Sequence, residues 1–256
     1  MTQLRPITGL AAVQLAPNPG PMTLDGTNSY LLQGGDGAVV VVDPGPEDAG
    51  HLAALAAAGR VELILVTHHH IDHVEGSETL HRLTGAPVRA ADPSQCYAAD
   101  PLVGGERIQL GALRIDVLAT PGHSADSVCF HLPGDGPHGS VLTGDTVLGR
   151  GTTVIGAPDG TLGDYLSSLR TLAELGPCRV LPAHGPDLPD LAAVCREYLA
   201  HREQRLDQVR AALARLGEDA DVRAVTDAVY GDVDPAVRFA AEHSVAAQLA
   251  HLRGTG

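Results

Sequence analysis

Short segments rich in Val, Leu and Ile alternate with longer helix-like segments between Ser29 and Leu181. This alternation is typical of a layered α/β domain, in which helices cover sheets built from short strands. The predicted strands are Tyr30–Gln33, Ala38–Val42, Val61–Thr67, Leu113–Ala119, Ser127–Leu132 and Val141–Thr143. The apolar spacing of amphipathic helices occurs in Pro46–Ala58, Val74–Leu83 and Leu162–Leu175.

The pattern changes after the proline-rich stretch Leu181–Asp190, because the rest of the chain shows helical spacing only. The predicted helices there are Leu191–Leu216, Asp221–Val229 and Asp234–Leu252. Asp234 is expected to cap the last of these, with Pro235 in its first turn. We therefore expect an α/β domain at residues 1–190 and a helical module at residues 191–256.

The charge of the chain limits its chemistry and its partners. It contains 17 Arg and no Lys, which excludes a lysine Schiff base, a pyridoxal anchor and a Walker phosphate loop. The 31 acidic residues give a formal net charge of -14 at pH 7. Such a charge disfavours an electrostatic grip on a nucleic-acid backbone.

The sequence indicates a protein of a reducing compartment. No apolar stretch is long enough to span a bilayer, and the first residues lack the continuous apolar core of a signal peptide. The scattered cysteines form no Cys-x-x-Cys pair and are expected to be buried thiols: Cys96, Cys129, Cys178 and Cys195. We expect a cytoplasmic protein with no membrane partner, and the apolar faces of the C-terminal helices leave a homodimer open.

The strongest chemical signal follows the predicted strand Val61–Thr67 and reads His68-His69-His70-Ile71-Asp72-His73. In an extended turn His68 and His70 point to the same side, so that they can bind one metal ion. Asp72 and His73 open the next helix and can reach a second ion. Imidazoles with few carboxylates suit zinc, although iron and manganese also accept such a set.

Three further segments place a metal-binding residue type near the end of a predicted strand or β-rich run. They are Thr120-Pro121-Gly122-His123-Ser124, Thr143-Gly144-Asp145-Thr146 and Pro182-Ala183-His184-Gly185-Pro186. Their glycines permit tight backbone paths that aim side chains inward. Taken singly, Asp145 would be a turn residue and His123 or His184 a surface histidine, but their order along the chain favours one shared site.

This order, His-x-His-x-Asp-His followed by His, Asp and His, resembles that of the metallo-β-lactamase fold superfamily. The resemblance implies an αββα sandwich, two mixed sheets covered by helices, with the site at one edge of the sheets. It implies a first metal ion bound by His68, His70 and His123. It implies a second metal ion bound by Asp72, His73 and His184, with Asp145 bridging the two.

Finer motifs resemble the lactamase-beta-2-like branch, which includes hydrolases related to single-strand endoribonucleases. The motifs are Gly26–Tyr30, Val42–Gly45, Gly144–Gly149, Gly151–Val154 and Tyr198–Arg202. In that branch the C-terminal helices form a winged-helix-like module, which Val229–Asp234 and Ser244–Ala247 resemble. Glu75 is a departure, because the family commonly has the first of two glycines there.

The expected mechanism of hydrolysis follows from the two bound cations. They lower the pKa of a shared water and hold the resulting hydroxide as a nucleophile, while they polarise the bond under attack. Asp72 is the candidate catalytic residue, because one carboxylate oxygen can bind the second metal ion while the other orients the hydroxide. No Ser or Cys nucleophile is then needed.

Other residues near these motifs have expected roles that are structural or open. His69 is expected to point away from the metal ions. Asp43 is expected to hydrogen-bond groups beside the site or to form a turn. Asp126 either orients the turn after His123 or caps it.

A second set of residues lies farther from the motif. Asn28, Tyr30 and Thr152 either line a substrate cleft or stabilise loops. Arg202 and Arg205 are expected on a solvated helix face rather than in an anion clamp.

The expected function is that of a metal-dependent hydrolase with two divalent ions, zinc foremost. Single-stranded RNA as substrate agrees with the branch resemblance and with two-metal phosphodiester chemistry, but the negative charge opposes polyanion binding. A glyoxalase-II-like thioester, another ester or a lactone suits the same metal set, with arginines as the only basic side chains available. Antibiotic hydrolysis is disfavoured by the lack of lysine and of an export signal.

An alternative of another class is a nucleic-acid-binding regulator whose metal site is only structural. Structural zinc sites are closed and commonly rich in cysteine, whereas a His/Asp set leaves room for water. The C-terminal module also lacks a basic recognition helix. Both observations disfavour the regulator.

Overall fold

The computed structural model describes residues 4–156, 158–234 and 237–254, and its strands form two mixed sheets. The first sheet runs β1 (Arg5–Pro6), β2 (Ala11–Leu15), β3 (Asn28–Gly35), β4 (Ala38–Val42), β5 (Arg60–Leu65) and β6 (Val88–Arg89). The second sheet contains β7 (Arg107–Leu110), β8 (Leu113–Ala119), β9 (Val128–Leu132), β10 (Ser140–Gly144) and β11 (Arg179–Pro182). Strands β4, β5 and β6 are parallel, as are β10 and β11, whereas the other neighbours are antiparallel.

The helices are α1 (Ala49–Ala57), α2 (Ile71–Val74), α3 (Ser77–Thr84), α4 (Leu162–Ala173), α5 (Leu191–Leu216), α6 (Val222–Val229) and α7 (Arg238–Leu252). Four of them begin at a side chain that accepts a hydrogen bond from the backbone N–H three residues on: Asp48, Thr161, Asp190 and Asp221. Such caps satisfy N–H groups that the first helical turn leaves without partners.

Alternation along the strands produces the layers. Leu32 and Val40 face the second sheet, where they pack with Phe130 and Leu142, whereas their neighbours Leu31 and Val41 face outward. The outward residues of the first sheet pack against α1 and α3, and those of the second sheet pack against α4 and α5. The order of layers is helix, sheet, sheet, helix, which is the αββα sandwich that the resemblance implies.

The C-terminal helices enclose a small core of their own. Val209 and Leu213 of α5 pack there with Val225 of α6 and with Val245 and Leu249 of α7. The earlier part of α5 instead packs on α4 in the core of the second sheet. The described residues after 190 contain no strand, and no helix described is long and apolar enough to cross a membrane.

The structure contains all six predicted strands, but it corrects some of the predicted elements. The predicted helix Val74–Leu83 is wrong as a single helix, since α2 ends at Val74 and α3 begins at Ser77. The chain passes so close to α1 here that a Cβ on Gly76 would lie 2.6 Å from Leu52. Glu75, the departure from the family pattern, accepts a hydrogen bond from the backbone N–H of Glu47.

The described part of the last helix, α7, begins at Arg238, and the predicted first turn after Asp234 falls on residues that the structure does not describe. Pro235 lies outside the described residues. The cysteines are free thiols as expected, with Cys129, Cys178 and Cys195 buried and Cys96 half-buried.

Candidate metal centre

The predicted metal-binding residues lie in loops that follow four strands. His68 to His73 follow β5, His123 follows β8, Asp145 follows β10 and His184 follows β11. These loops meet because the parallel strands β10 and β11 end at the same edge, and because a backbone bridge joins His184 to Thr27 of the first sheet. The site therefore sits at one edge of the sandwich, across both sheets.

Two glycines allow the loops to approach closely. Gly122, just before His123, has φ +137°, and a Cβ there would lie 2.3 Å from the backbone of Tyr165. Gly144, just before Asp145, has φ +50°, and a Cβ there would lie 2.8 Å from the side chain of Thr67. Any larger residue would push His123 or Asp145 away from the other side chains of the site.

Three imidazoles converge in a first group. The Nδ1 atom of His70 lies 3.0 Å from Nε2 of His68 and 2.9 Å from Nε2 of His123. The outer nitrogen of each ring faces an acceptor: Thr67 Oγ1 at 3.1 Å from His68, the Val154 carbonyl at 2.8 Å from His123 and Asp159 at 3.3 Å from His70. Because a neutral imidazole carries one N–H, these acceptors place the proton outside and leave three lone pairs facing a common point.

A second group contains Asp72, His73 and His184. The Oδ2 atom of Asp72 lies 3.1 Å from Nε2 of His184 and 3.4 Å from Nε2 of His73. The outer nitrogens donate to Asp43 (2.9 Å, from His73) and to the carbonyl of Gly26 (3.3 Å, from His184). Both Nε2 atoms are buried and make no well-formed hydrogen bond to the described residues.

Asp145 lies between the two groups. Its Oδ1 is 3.3 Å from Nε2 of His184 and 3.7 Å from Nε2 of His73, whereas its Oδ2 is 3.6 Å from Nε2 of His123. Oδ1 is buried and also lacks a hydrogen-bond partner among the described residues. Buried acceptors and lone pairs that face one another are costly without a cation, so this donor set fits bound metal ions.

The environment of the histidines sets their charge. Burial lowers the pKa of His68 and of His70, and the neighbouring histidines lower both further, so these rings are neutral and able to bind a metal ion. Burial also works against a charge on His73, but the carboxylates of Asp43, Asp72 and Asp145 together outweigh it and raise the pKa of that ring. The carboxyl of Asp72 has the opposite behaviour: burial would raise its pKa, yet the imidazoles of His184 and His73 hold it well below its usual value.

Asp43 orients one histidine of each donor group, His73 directly and His68 through Thr67. Its carboxylate accepts hydrogen bonds from the backbone N–H and the hydroxyl of Thr67, each at 2.8 Å, in addition to the one from His73. It does so with φ +52°, a backbone conformation that is uncommon outside glycine. Asp43 thus hydrogen-bonds groups beside the site, which is one of its two expected roles.

His69 and Asp126 join two of the loops. Nδ1 of His69 lies 2.8 Å from Asp126, which also accepts a hydrogen bond of 2.7 Å from the hydroxyl of Ser124. Burial alone would lower the pKa of His69, but Asp126 raises it. His69 is thus turned away from the convergence point of the other rings, and Asp126 fixes the turn after His123.

Arg202 is buried, whereas the sequence predicted a solvated position for it. Its side chain is only 4% exposed, donates to the carbonyl of Thr153 and stacks over the ring of Tyr165 at 5.1 Å. The prediction of a solvated face is therefore wrong for Arg202. Arg205 is half-buried and lies over the ring of Tyr230 at 4.8 Å.

Two of the three residues whose roles the sequence left open, Asn28 and Tyr30, stabilise a loop. The third, Thr152, lies outside the cavity that is described next. Asn28 and Tyr30 are buried, and both donate to the carbonyl of Pro182 at 2.9 Å. Thr152 is exposed and does not line that cavity.

The cavity has a volume of about 300 Å³ and opens onto His70, Asp72, His123 and Asp145. Its remaining wall includes Met22, Asp159 and His243, none of which the sequence indicated. Asp159 belongs to a loop without regular periodicity, and His243 belongs to a helix more than fifty residues beyond the last donor. Only the fold brings them to the site.

The sequence matches known proteins over most of its length. The family model of the metallo-beta-lactamase superfamily matches residues 22–184. The beta-lactamase-like protein 2 homolog of Caenorhabditis elegans is 32% identical over 98% of this chain and 88% of its own length. The atrochrysone carboxyl ACP thioesterase of Aspergillus fumigatus is 36% identical over 79% of this chain, and the lactamase-like protein adaB of Aspergillus niger is 36% identical over 78%. The chain spans just under two thirds of these two fungal proteins, 64% and 63%.

Solved structures give the same result. The metallo-beta-lactamase family protein TTHA1429 of Thermus thermophilus superposes with a TM-score of 0.77 at 26% identity, covering 95% of this chain and 93% of that one. TTHA1623 in a di-iron-bound form superposes with a TM-score of 0.57 at 28% identity, covering 70% of this chain and 96% of that one. The fold, the loop motifs and the matched sequence agree, and the chain therefore belongs to the metallo-beta-lactamase superfamily.

Proposed function

We propose that this chain is a hydrolase that uses two divalent metal ions to cleave a thioester or a related ester of a small molecule. The observation that carries the proposal is the pair of donor groups with inward lone pairs, joined by Asp145, on the wall of a small cavity. His68, His70 and His123 would hold one ion. Asp72, His73 and His184 would hold the other, and Asp145 would contact both.

The bound ions would supply the chemistry of metallohydrolases, which is activation of water at neutral pH and polarisation of the substrate carbonyl. Zinc suits the five imidazoles and two carboxylates, and iron and manganese are the alternatives. The protein contributes orientation, because the outer nitrogen of each ring faces an acceptor.

Asp72 is the proposed catalytic residue. Its carboxyl is held ionised, because its pKa lies well below the usual range, and its side chain is 23% exposed, toward the cavity. One oxygen faces His73 and His184. The other is then available to accept a hydrogen bond from the attacking water and to hold that water toward the substrate.

The cavity favours a thioester or ester over RNA. Among the described residues that line it, three are aspartates and none is an arginine, so phosphate groups next to the metal ions would find no guanidinium partner there. Its volume is at the lower end of the range for small-molecule sites. The name of the Aspergillus fumigatus relative also supports a thioester.

We further propose that residues 1–190 form the catalytic domain and that residues 191–256 complete the substrate site, since His243 of α7 lines the cavity. In this arrangement the C-terminal helices serve the reaction. They do not need to bind nucleic acid for that role.

The test is hydrolysis by protein loaded separately with zinc, iron or manganese. The substrates are an acyl thioester of N-acetylcysteamine, a p-nitrophenyl ester, a lactone and a labelled single-stranded RNA. Asp72→Asn should lower kcat for the preferred substrate by on the order of 10²-fold or more, as loss of a group that orients water does. Asp219→Asn, which removes a carboxylate from an exposed turn, is the matched control.

Cleavage of RNA with no cleavage of thioester, ester or lactone would overturn the proposed substrate class. Equal kcat values for Asp72→Asn and Asp219→Asn would overturn the role of Asp72.

A further inference from the structure

Three exposed apolar side chains belong to residues that line the cavity or stand next to one that does. Met22, which lines it, is 44% exposed, and Ile71, between His70 and Asp72, is 67% exposed. Phe239 is 46% exposed and makes an edge-to-face contact with the ring of His243, at 6.3 Å between centroids. Apolar surface that is grouped beside a cavity and left in water is typical of a surface that a ligand covers.

Phenylalanine is rare in this protein, which makes the position of Phe239 informative. The chain has two Phe residues, and the other, Phe130, is fully buried between the two sheets. Phe239 instead stands on α7, one turn before the cavity-lining His243. It adds nothing to the three buried hydrophobic clusters of the sandwich or to the small C-terminal core.

The helix that carries these two rings is firmly held. Val245 and Leu249 on its buried face pack against α5 and α6, and Arg238 is paired with Asp227 and Glu242. Residues 239 and 243 lie four apart and so share the opposite face of the helix. A Cβ on Gly156 would be 3.9 Å from Nδ1 of His243, which places this face against the loop at the cavity wall.

The carboxylates that line the cavity disfavour a second anionic group on the part of the substrate that lies there. Asp72, Asp145 and Asp159 line it, without an arginine among the described lining residues. Metal ions at the donor groups would offset the first two carboxylates, but Asp159 lies at the outer nitrogen of His70, away from the convergence point. A substrate group that extends from the metal ions toward Asp159 should therefore be uncharged.

We propose that Met22, Phe239 and His243 form a wall that binds an apolar acyl or aryl group of the substrate. We name these three residues the acyl wall. The inference deepens the proposed function and rests on it for the reacting bond, since the carbonyl would lie at the donor groups. It predicts that the preferred substrates carry an uncharged chain of several carbons or a ring, rather than an acetyl group or a charged acyl group.

The test measures binding apart from turnover. 2-Octanone and acetone are uncharged carbonyl compounds that differ by five methylene groups, and ligand-observed NMR gives their Kd on metal-loaded and on metal-free protein. We expect 2-octanone to bind at least roughly tenfold more tightly, since full burial of only two methylenes at about 0.8 kcal/mol each gives that factor. Phe239→Ala and Met22→Ala should each weaken 2-octanone binding by at least about threefold.

Leu83→Ala is the matched control, because it removes another exposed apolar side chain, from α3 on the outer face of the first sheet. Thermal denaturation shows whether each variant is folded. Equal Kd values for 2-octanone and acetone, or equal effects of Phe239→Ala and Leu83→Ala, would overturn the acyl wall.

A second readout uses the substrates of the proposed function. Phe239→Ala should raise KM for an octanoyl thioester more than KM for the acetyl thioester. If no ester or thioester is cleaved while the ketone series behaves as expected, the proposed function fails and the acyl wall stands. If octanoyl and acetyl thioesters are cleaved with the same KM, the proposed function stands and the acyl wall fails.

Discussion

Asp43 shows how a single side chain can control several donors at once. It accepts hydrogen bonds from Thr67 and His73, and the hydroxyl of Thr67 in turn faces Nδ1 of His68. One carboxylate therefore sets the ring orientation of a histidine in each donor group. Partners of this kind are worth roughly 10- to 100-fold in metal affinity.

Asp43→Asn should therefore weaken metal binding by roughly 10- to 100-fold while the protein remains folded. The amide keeps the shape of the side chain but replaces one acceptor oxygen with an NH2 group, which accepts no hydrogen bond, so at least one of the donors on Thr67 and His73 loses its acceptor. Competition with a chelator measures the affinity. The control is Asp36→Asn, because Asp36 also has a positive φ, +49°, but stands in an exposed turn. Unchanged affinity in Asp43→Asn would contradict this role.

His51 is a buried histidine that the proposed chemistry does not use. Its Nε2 lies 2.9 Å from the Ser29 hydroxyl, and its Nδ1 lies 3.2 Å from the side-chain amide of Gln14, a donor. Nδ1 must therefore accept, so the folded protein holds the neutral ring. Burial lowers the pKa of His51 in the folded state.

The pH dependence of stability follows from that lowered pKa. In the unfolded chain His51 titrates near pH 6.5, so its contribution is complete above 6.5 and is lost as the pH falls toward the lower folded value. The free energy of unfolding of the parent should therefore fall relative to that of His51→Gln between pH 7.5 and pH 5. Urea denaturation of both proteins at several pH values measures this. A difference that stays constant with pH would contradict the assignment.

At the residue scale, the sequence predicted the donors and one group that orients them, Asp43, but not the other orienting groups. His68, His123 and the other five stand in motifs at strand ends, and the fold brings all of them together. The carbonyl of Val154 and the carboxylate of Asp159 act on the donors from an irregular loop. A backbone acceptor leaves no mark in a sequence, and a loop aspartate has no period, so neither could be predicted.

At the scale of the elements, α5 connects the C-terminal helices to the metal centre. Arg202 donates to the carbonyl of Thr153, and the hydroxyl of Thr153 donates to the carbonyl of Asp145 at 2.7 Å. The next residue, Val154, accepts the hydrogen bond from His123. The loop that fixes two donors is therefore fastened to α5, the helix that leads into the C-terminal core.

Arg202→Met should loosen this loop. The change leaves the carbonyl of Thr153 without its donor, which costs about 1–3 kcal/mol for a buried group, and it should lower metal affinity as well as thermal stability. Arg205→Met is the matched control on the same helix, since the described partners of Arg205 are the ring of Tyr230 and the side chain of Gln208, both outside that loop. Competition with a chelator measures the metal affinity of both variants, and thermal denaturation measures their stability. Parent-like metal affinity in Arg202→Met would contradict the coupling.

The sequence contained a signal for Arg202 that its charge obscured. Tyr198, Arg202 and Leu206 are spaced by four, and all three lie on the buried face of α5. The strands that were not predicted have another cause. Strands β1, β6, β7 and β11 have two to four residues each, too few to show alternation, and β2 lies before Ser29, outside the segment where strands and helices alternate in the sequence.

At the scale of the whole molecule, part of the negative charge of the chain is concentrated at the metal centre. The donor groups bring two carboxylates into contact with buried histidines, and Asp43 and Asp159 stand directly behind. Bound divalent cations would offset this negative charge in the folded protein alone, because the unfolded chain does not hold the donors together. The cytoplasmic location and the homodimer stay predictions.

Removal of the metal ions should therefore destabilise the entire protein. A ligand present at 100 times its Kd stabilises the folded state by about 2.7 kcal/mol, and for a chain of this size each kcal/mol corresponds to about 2–4 °C in Tm. Calorimetry should show a Tm lower by about 5–10 °C after chelation, restored by zinc, with two ions per chain by elemental analysis. His73→Ala/His184→Ala should bind one ion and show a smaller shift, because the three imidazoles of the first group are intact. A parent that binds one ion per chain, or a double variant with the full shift, would contradict the two-ion centre.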